Sequence, residues 1–555
     1  MSRLTGLVLL PLIFLSGCAG APPAANTAQP AGGATPMVSL SPTGTPFQPA
    51  PVPSAPADPS LPAGEPLPIW IDPALPASLP PNLRRVDLPG EAAVAVTPRP
   101  PDSGYAQAIS QWIYLLAAPF PTIADSVSAA DLQDAWNGNG TRLLMDANTF
   151  GVLIQFWGSG GAGAEIIPAE GITDALWARG DAWAIIPFEA VNPRLKVLAV
   201  DGQSPLRKDF SADGYPLAIP FWLDGDEGLV QSLAALYGAG NPLVPPTNRD
   251  PSKLTTVVLT GVTALVRATA WTMEQQGIAY PARDIGAWLR DADILHISNE
   301  VPFAEDCPSP NPVQANVVFC SDPRYIGLLE EIGTDVVELT GDHFADWGVA
   351  AMLYTLDLYA GRNWLVYGGG ANFEAGRAAV TLAHNGNRIA FIGCNGKGGG
   401  FAQANATNPG AARCDFDWMH TEIARLAAEG VLVIATFQHF EYYTFDIPDV
   451  TKADFRGMAQ AGAVIVSGSQ AHHPHGFEFV GDALLHFGLG NTFFDQYGLS
   501  PGTSDAFIDR HVFYDGRYLG TELLTIVFED YARARPMTDA ERRALLEAAF
   551  DAGGW

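Results

Sequence analysis

From about Pro251 onward the chain repeats one pattern, in which a short run of mostly β-branched or aliphatic residues gives way to polar residues and then to a helix-like stretch. The runs are 256–259, 294–297, 336–339, 389–392, 431–434 and 464–466. Each is too short for a helix of ordinary length and too apolar for a surface loop, so each predicts a strand. Strands alternating with helices predict an α/β architecture with a layered sheet. In such folds the exits of the strands form the usual site. The polar clusters of this chain fall at those exits: Ser298, Asn299 and Glu300; Gly341, Asp342 and His343; Gln438 and His439; and His472, His473, Pro474 and His475.

The last of these clusters concentrates chemistry. Three of the ten histidines lie within four positions, directly after 463–466. His473 and His475 are two apart, so an extended backbone would aim both imidazoles at one ion. The alternative is a polar loop without a ligand.

A chain of 555 residues exceeds one hydrophobic core, and at roughly 150 residues per domain it predicts two to three domains. Residues 1–18 read as an export signal: Arg3 is followed by an apolar run, 7–15, too short to span a bilayer. Its end, Leu15, Ser16, Gly17 and Cys18, resembles a bacterial lipobox, which implies cleavage before Cys18, acylation of its thiol, and an extracytoplasmic protein anchored to a bacterial membrane. Residues 19–66 are a Pro/Ala-rich linker with almost no charge, unable to bury a core and able to reach on the order of 100 Å. Residues 67–250 alternate strand-like and helix-like runs and form a smaller N-terminal α/β module. Within it, 183–190, 201–205 and 215–221 resemble a lobe of periplasmic solute-binding proteins; a structural or docking module is the alternative. Residues 251–530 hold the repeating pattern, and 531–555 a C-terminal helix opened by the capping-box residues Thr538 and Glu541.

A formal charge of −29 repels phosphate backbones and excludes nucleic acid as a partner. An anionic polymer would need a local cation at the point of contact. Setting Cys18 aside, Cys307, Cys320, Cys394 and Cys414 form an even set in an exported chain, which predicts disulfides. Of three connectivities, the two local pairings, Cys307 with Cys320 and Cys394 with Cys414, are the simplest. No C-x-x-C spacing points to structural zinc.

Taken in order, several motifs resemble the poly-γ-glutamate capsule-synthesis family of CapA-like proteins, related to calcineurin-like metallophosphoesterases. They are Asn299 with Glu300; Asp342, His343, Asp346 and Gly348; the glycine turn 368–372; Glu441 with Tyr442; 472–475; and 489–495. The resemblance covers about 255–530 and implies a metallophosphoesterase-type α/β sandwich there. It implies that His473 and His475 are metal ligands together with Asp342, Glu300, Asn299 and His439, the ion being Mn, Zn or Fe. It also implies that His343 stands where a general acid would be, that Glu300 serves the reaction as well as the metal, and that Arg267 pairs with an anionic substrate. The chain departs from the family at Val262, where an aspartate is expected, and at Phe437, where a histidine is expected. Asp342 replaces an asparagine. With two ligands missing, the expectation is a single weak metal site or none, and not a dinuclear centre.

Each of these residues has a plainer reading. Asn299, Asp342 and Asn491 can cap strand-end turns, Glu441 can be a solvated charge, and His343 a satisfied polar residue near Trp347. The glycine-rich stretch 393–400 around Lys397 lacks the Ser or Thr of a phosphate loop and reads as a flexible turn. Three functions follow from these readings. The first is a surface lipoprotein acting in synthesis or export of an anionic polymer, with the membrane, the polymer and polymer-synthesis proteins as partners. The second is an active metal-dependent hydrolase of phosphoester or γ-glutamyl bonds. The third is a solute or polymer receptor working through 67–250.

Overall fold

The computed structural model describes residues 65–555 apart from 100–104, 159, 238–241, 398–399, 401 and 497–499. The export signal, Cys18 and nearly all of the linker lie outside the described residues.

The N-terminal module is built on a ten-stranded mixed sheet whose axis is the long strand Tyr105–Pro119. That strand pairs antiparallel with Ala218–Gly225, Trp183–Pro187 and Leu195–Val200. Its helices start where an acceptor side chain meets the free N–H groups of the first turn. Ser128 and Asp131 form a reciprocal capping box, Asp146 caps Ala147–Trp157, and Asp226 caps Glu227–Leu236.

In the C-terminal part the first seven strands are β1 (Leu254–Thr263), β2 (Ile294–Asn299), β3 (Val336–Glu338), β4 (Leu365–Tyr367), β5 (Val380–His384), β6 (Asn387–Asn395) and β7 (Leu432–Gln438). They continue as β8 (Ala463–Ser467), β9 (Phe477–Val480), β10 (Ala483–His486), β11 (Asn491–Phe493), β12 (Asp505–Tyr514), β13 (Arg517–Glu529) and β14 (Arg533–Pro536). One sheet runs β4-β3-β2-β1-β12-β13-β14, with β11 also beside β1. Its first four strands are parallel, and β12 closes onto β1 antiparallel. The other runs β5-β6-β7-β8-β10-β9, parallel from β6 to β10.

The two sheets face each other across one core, which holds Val257, Leu259, Phe391, Ile434, Ile465, Phe477 and Phe507. Val258, Leu295 and Val337 face outward from the first sheet against helices α1 (Arg267–Gln276), α2 (Gly286–Arg290), α3 (Ile326–Glu331) and α4 (Gly348–Ala360). Ala390, Ile392, Val433 and Val466 do the same on the second sheet against α5 (Phe416–Ala428) and α6 (Asp449–Ala461). Because successive residues of a strand alternate faces and both faces are covered, each run must be continuously apolar. The result is a four-layer α/β sandwich.

The segment 531–555 opens with β14 before α7 (Asp539–Ala552), so it is not helical throughout; α7 starts at the Thr538–Glu541 capping box. Its Phe550 meets Phe120 of the N-terminal module and Phe477 of β9. Arg207 pairs with Glu522 at 3.0 Å and Arg542 with Asp125 at 2.8 Å across the same junction. Disulfides join Cys307 to Cys320 and Cys394 to Cys414. Among the described residues no helix is long and apolar enough to cross a membrane.

Candidate functional site

Parallel strands put their carboxyl ends on one edge. In register, Thr263 meets Asn299, Ser298 meets Glu338, Asn395 meets Gln438 and Thr436 meets Ser467. The residues that follow these positions converge. Glu300 leaves β2, Asp342 and His343 follow β3, Lys397 follows β6, Glu441 follows β7, and His472 follows β8. They line a cleft of about 780 Å³ together with Arg267, Val317, Val318, Phe319, Asp346, Tyr443, Phe494 and Gln496, except Glu300, which lies buried at its inner end beside His472.

Glu300, Asp342 and His343 offer ligand atoms within 4.8 Å of one another. Glu300 is fully buried, and neither of its carboxylate oxygens has a hydrogen-bond donor. The Asn299 side-chain oxygen is buried and unpartnered as well. A buried carboxylate without donors is costly unless a cation answers it. The nearest cationic group is His472, whose Nε2 lies 3.5 Å from Glu300 and 3.6 Å from Glu441. Burial works against protonating His472, but the charges of Glu300 and Glu441 outweigh it and raise its pKa. This chemistry of two carboxylates, an imidazole and buried oxygens without donors fits one hard or borderline divalent ion.

Asp342 is held differently. It accepts from Gln438 Nε2 at 3.0 Å and pairs with Lys397 Nζ at 2.7 Å. Burial alone would raise its pKa, yet the lysine charge keeps it below the usual carboxylate range. Lys397 also bonds Glu441, which accepts from the Tyr443 hydroxyl at 2.9 Å. His343 Nδ1 donates to Asp346 Oδ2 at 2.7 Å, leaving Nε2 for a ligand or a proton transfer. Burial opposes its protonation, but the Asp346 hydrogen bond and the charges of Glu300 and Asp342 carry its pKa to about 9.

The other candidates are arranged as follows. Asn299 spends its amide nitrogen on Val301 O and the Tyr359 hydroxyl. Arg267 lines the cleft, but it lies 3.6 Å from Asp495, whose carboxylate also caps α1 through the Ala268 N–H at 3.0 Å. His473 Nδ1 bonds Pro474 O at 2.6 Å and its ring lies against Phe445. His475 Nδ1 bonds Thr444 O at 2.7 Å, and burial drives its pKa down to about 3. Neither belongs to the Glu300 group, which His472 approaches instead. His439 bonds Asp454 through Nε2 at 2.9 Å and accepts the Phe440 N–H at Nδ1. Val262 is buried in β1, and Phe437 packs on Phe455 under the helices. Because β7 alternates faces, it is Gln438, one residue on, that reaches Asp342.

Lys397 is the residue that a reading as a flexible turn passes over. Its loop is tied down: Gly396 N–H donates to Gln438 O at 2.7 Å, Asn395 Nδ2 donates to Thr340 O and Gln438 Oε1 at 2.8 Å, and the Cys394–Cys414 disulfide closes it. The available signal was its position two residues past a strand end.

Residues 256–496 match the family model described as bacterial capsule synthesis protein PGA_cap. Capsule biosynthesis protein CapA of Bacillus anthracis is 23% identical over 303 residues, spanning 53% of this chain and 72% of that protein. Among solved structures, a 5'-nucleotidase precursor from Thermus thermophilus is 14% identical, spans 53% of this chain and 58% of its own, and gives a TM-score of 0.30. An ABC-type phosphate transport receptor from Vibrio cholerae is 12% identical, spans 27% of this chain and 76% of its own, and gives 0.24.

Proposed function

Since residues 256–496 are a domain of the bacterial capsule-synthesis family of CapA-like proteins, we propose that this chain is an extracytoplasmic lipoprotein, anchored through Cys18, that acts in synthesis or export of an anionic polymer such as poly-γ-glutamate. Its C-terminal domain keeps a reduced metal site. The observation that carries the metal reading is Glu300, fully buried, with no well-formed hydrogen bond to either oxygen and only the His472 imidazole, 3.5 Å away, to answer its charge. Glu300, Asp342 and His343 would hold a single Mn, Zn or Fe ion, which when bound supplies Lewis acidity toward a phosphoryl or carbonyl oxygen. The chain's own groups do the rest. Asp346 accepts from His343 Nδ1 and so turns Nε2 toward the ion; because the surrounding carboxylates carry the pKa of the metal-free imidazole to about 9, loading the site would release a proton from it. Arg267 and the phenylalanines 319 and 494 border the approach to it.

Metal analysis of the purified full chain tests the site. About one ion per chain, lost in Glu300→Ala, is expected; no retained metal after reloading would overturn it. Deleting the gene in its source bacterium tests the role: loss of surface polymer, restored by the wild type and not by Cys18→Ala, is expected, and unchanged polymer would overturn it. Hydrolysis of a phosphoester or γ-glutamyl probe, abolished in His343→Ala, would favour the enzyme reading.

A receptor reading draws on a second cleft of about 450 Å³ between the N-terminal module and β13, lined by Lys196, Gln203, Arg207, Phe210, Thr521 and Glu522. Clefts between modules are common ligand sites. Its cations are engaged, Lys196 by Asp125 and Arg207 by Glu522. A neutral or mixed-charge ligand therefore suits it better than a polyanion, and stabilisation of the full chain by such a compound in a thermal-shift screen is the test.

A further inference from the structure

Two halves of the cleft differ in one respect. On one side Glu300 is buried with no well-formed hydrogen bond, the His472 imidazole lying 3.5 Å away. On the other, Asp342 and Glu441, which follow strands of opposite sheets, share the Lys397 ammonium, 2.7 Å from Asp342 Oδ2 and hydrogen-bonded to Glu441 Oε1, with the His472 imidazole 3.6 Å from Glu441. In a two-ion centre, carboxylates from separate strand ends converge on divalent ions. Here a lysine stands between them.

Lys397 is not a mobile surface lysine that met two acids by chance. Its side chain is only 25% exposed, with Asp342 at 12% and Glu441 at 22%. The residues before it are fixed to β7 and to the segment 412–414: Asn395 N–H donates to Ala412 O, Gly396 N–H to Gln438 O, and Cys414 N–H to Asn395 O. A Cβ on Gly396 would come within 3.1 Å of Gln438 O and 3.4 Å of Cys414 Sγ, so the backbone there is packed closely between β7 and the disulfide. Besides Asp342 and Glu441, the carboxylate and imidazole groups lining the cleft are engaged elsewhere: His343 with Asp346, and His472 beside Glu300. A second divalent ion would have to approach the ammonium without new donors to compensate the repulsion.

We propose that Lys397 is a built-in cation that occupies the position of a second metal, so that the centre takes one divalent ion, at Glu300, Asp342 and His343, and the protein supplies the other positive charge itself. The single-ion half of this statement rests on the metal reading given above; the lysine half does not. The ammonium offsets one of the two negative charges of Asp342 and Glu441 whatever the metal supply. It donates hydrogen bonds to them but cannot act as a Lewis acid, so activation of a nucleophile would fall to one ion alone.

The test is metal stoichiometry on the full chain, stripped with chelator, reloaded with Mn²⁺ or Zn²⁺, and measured by elemental analysis and titration calorimetry. The wild type is expected to bind one equivalent and Lys397→Met and Lys397→Gln two, with Lys397→Arg remaining at one. A gain of one equivalent in either neutral variant supports the lysine proposal even if the wild type binds none, an outcome that would instead sink the Glu300 site. Two equivalents in the wild type, or no gain in either neutral variant while both keep native circular dichroism, would overturn it.

Discussion

Asn491 Oδ1 accepts the Nδ1 proton of His472 at 2.8 Å, and this bond selects the nitrogen that reaches the carboxylates. The direction is fixed because the Asn491 amide nitrogen donates to two carbonyls, His472 O at 3.1 Å and Thr503 O at 3.0 Å. Only its oxygen remains to face the ring, so Nε2 of His472 is left toward Glu300 and Glu441. Partners of this kind orient imidazoles at metal and catalytic sites. Asn491→Ala is therefore expected to loosen the hold of His472 on the ligand Glu300 and to weaken divalent-metal binding by up to about 10-fold, with calorimetry as the readout. An unchanged Kd would remove His472 from the site.

Gly341 sits against Glu300, and a Cβ there would lie 2.9 Å from both Cα and Cγ of the glutamate. Gly341→Ala should push Glu300 out of place, destabilising the fold by about 1–3 kcal/mol and lowering metal affinity together with it. Denaturant melts and titrations on the same variant check both.

Arg267 opens α1 with φ of +49°, a left-handed conformation that costs a side chain about 1 kcal/mol and glycine very little. Arg267→Gly should consequently be more stable than Arg267→Ala, although both lose the charge beside Asp495. Equal melting temperatures would show that the backbone relaxes elsewhere.

His511 predicts an acid-sensitive fold. It is fully buried in β12, bonds the Thr521 hydroxyl at 2.6 Å, and burial, helped by His486 and His296 and opposed by Asp509, holds its pKa down to about 4. Between its unfolded pKa near 6.5 and that value, the unfolded chain binds the proton and the folded chain does not. Its stabilising contribution is thus intact above pH 6.5 and is lost as pH falls toward 4, on the order of 3 kcal/mol in all. Urea melts at pH 7 and pH 4.5 measure the loss, and His511→Gln should shrink it.

The strands of the sandwich could be read from sequence because both faces are covered, which forces continuous runs such as 256–259 and 389–392. By contrast, β12 and β13, which close the first sheet antiparallel, carry Asp509, Arg510 and His511 inside, and their polar content hides them. Glu300, Asp342 and His343 stand out as polar tips at strand exits. The choice among His472, His473 and His475 does not, since these residues leave the strand for a turn where the two-residue period no longer sets direction. Asn491, nineteen positions later, makes that choice. Lys397 is equally hidden, because its acceptors Asp342 and Glu441 are distant in sequence and its glycine neighbours imitate a loose loop.

Both walls of the cleft that carry a disulfide do so beside residues that face its interior: Val317, Val318 and Phe319 lie just before Cys320, and Lys397 lies just after Cys394. Thiols pair only where the surroundings oxidise them. With its thiols reduced, the chain would keep its buried acids and its sheets, and both loops would rest on their hydrogen bonds alone. Oxidation would then stiffen the rim and the loop of the ammonium together.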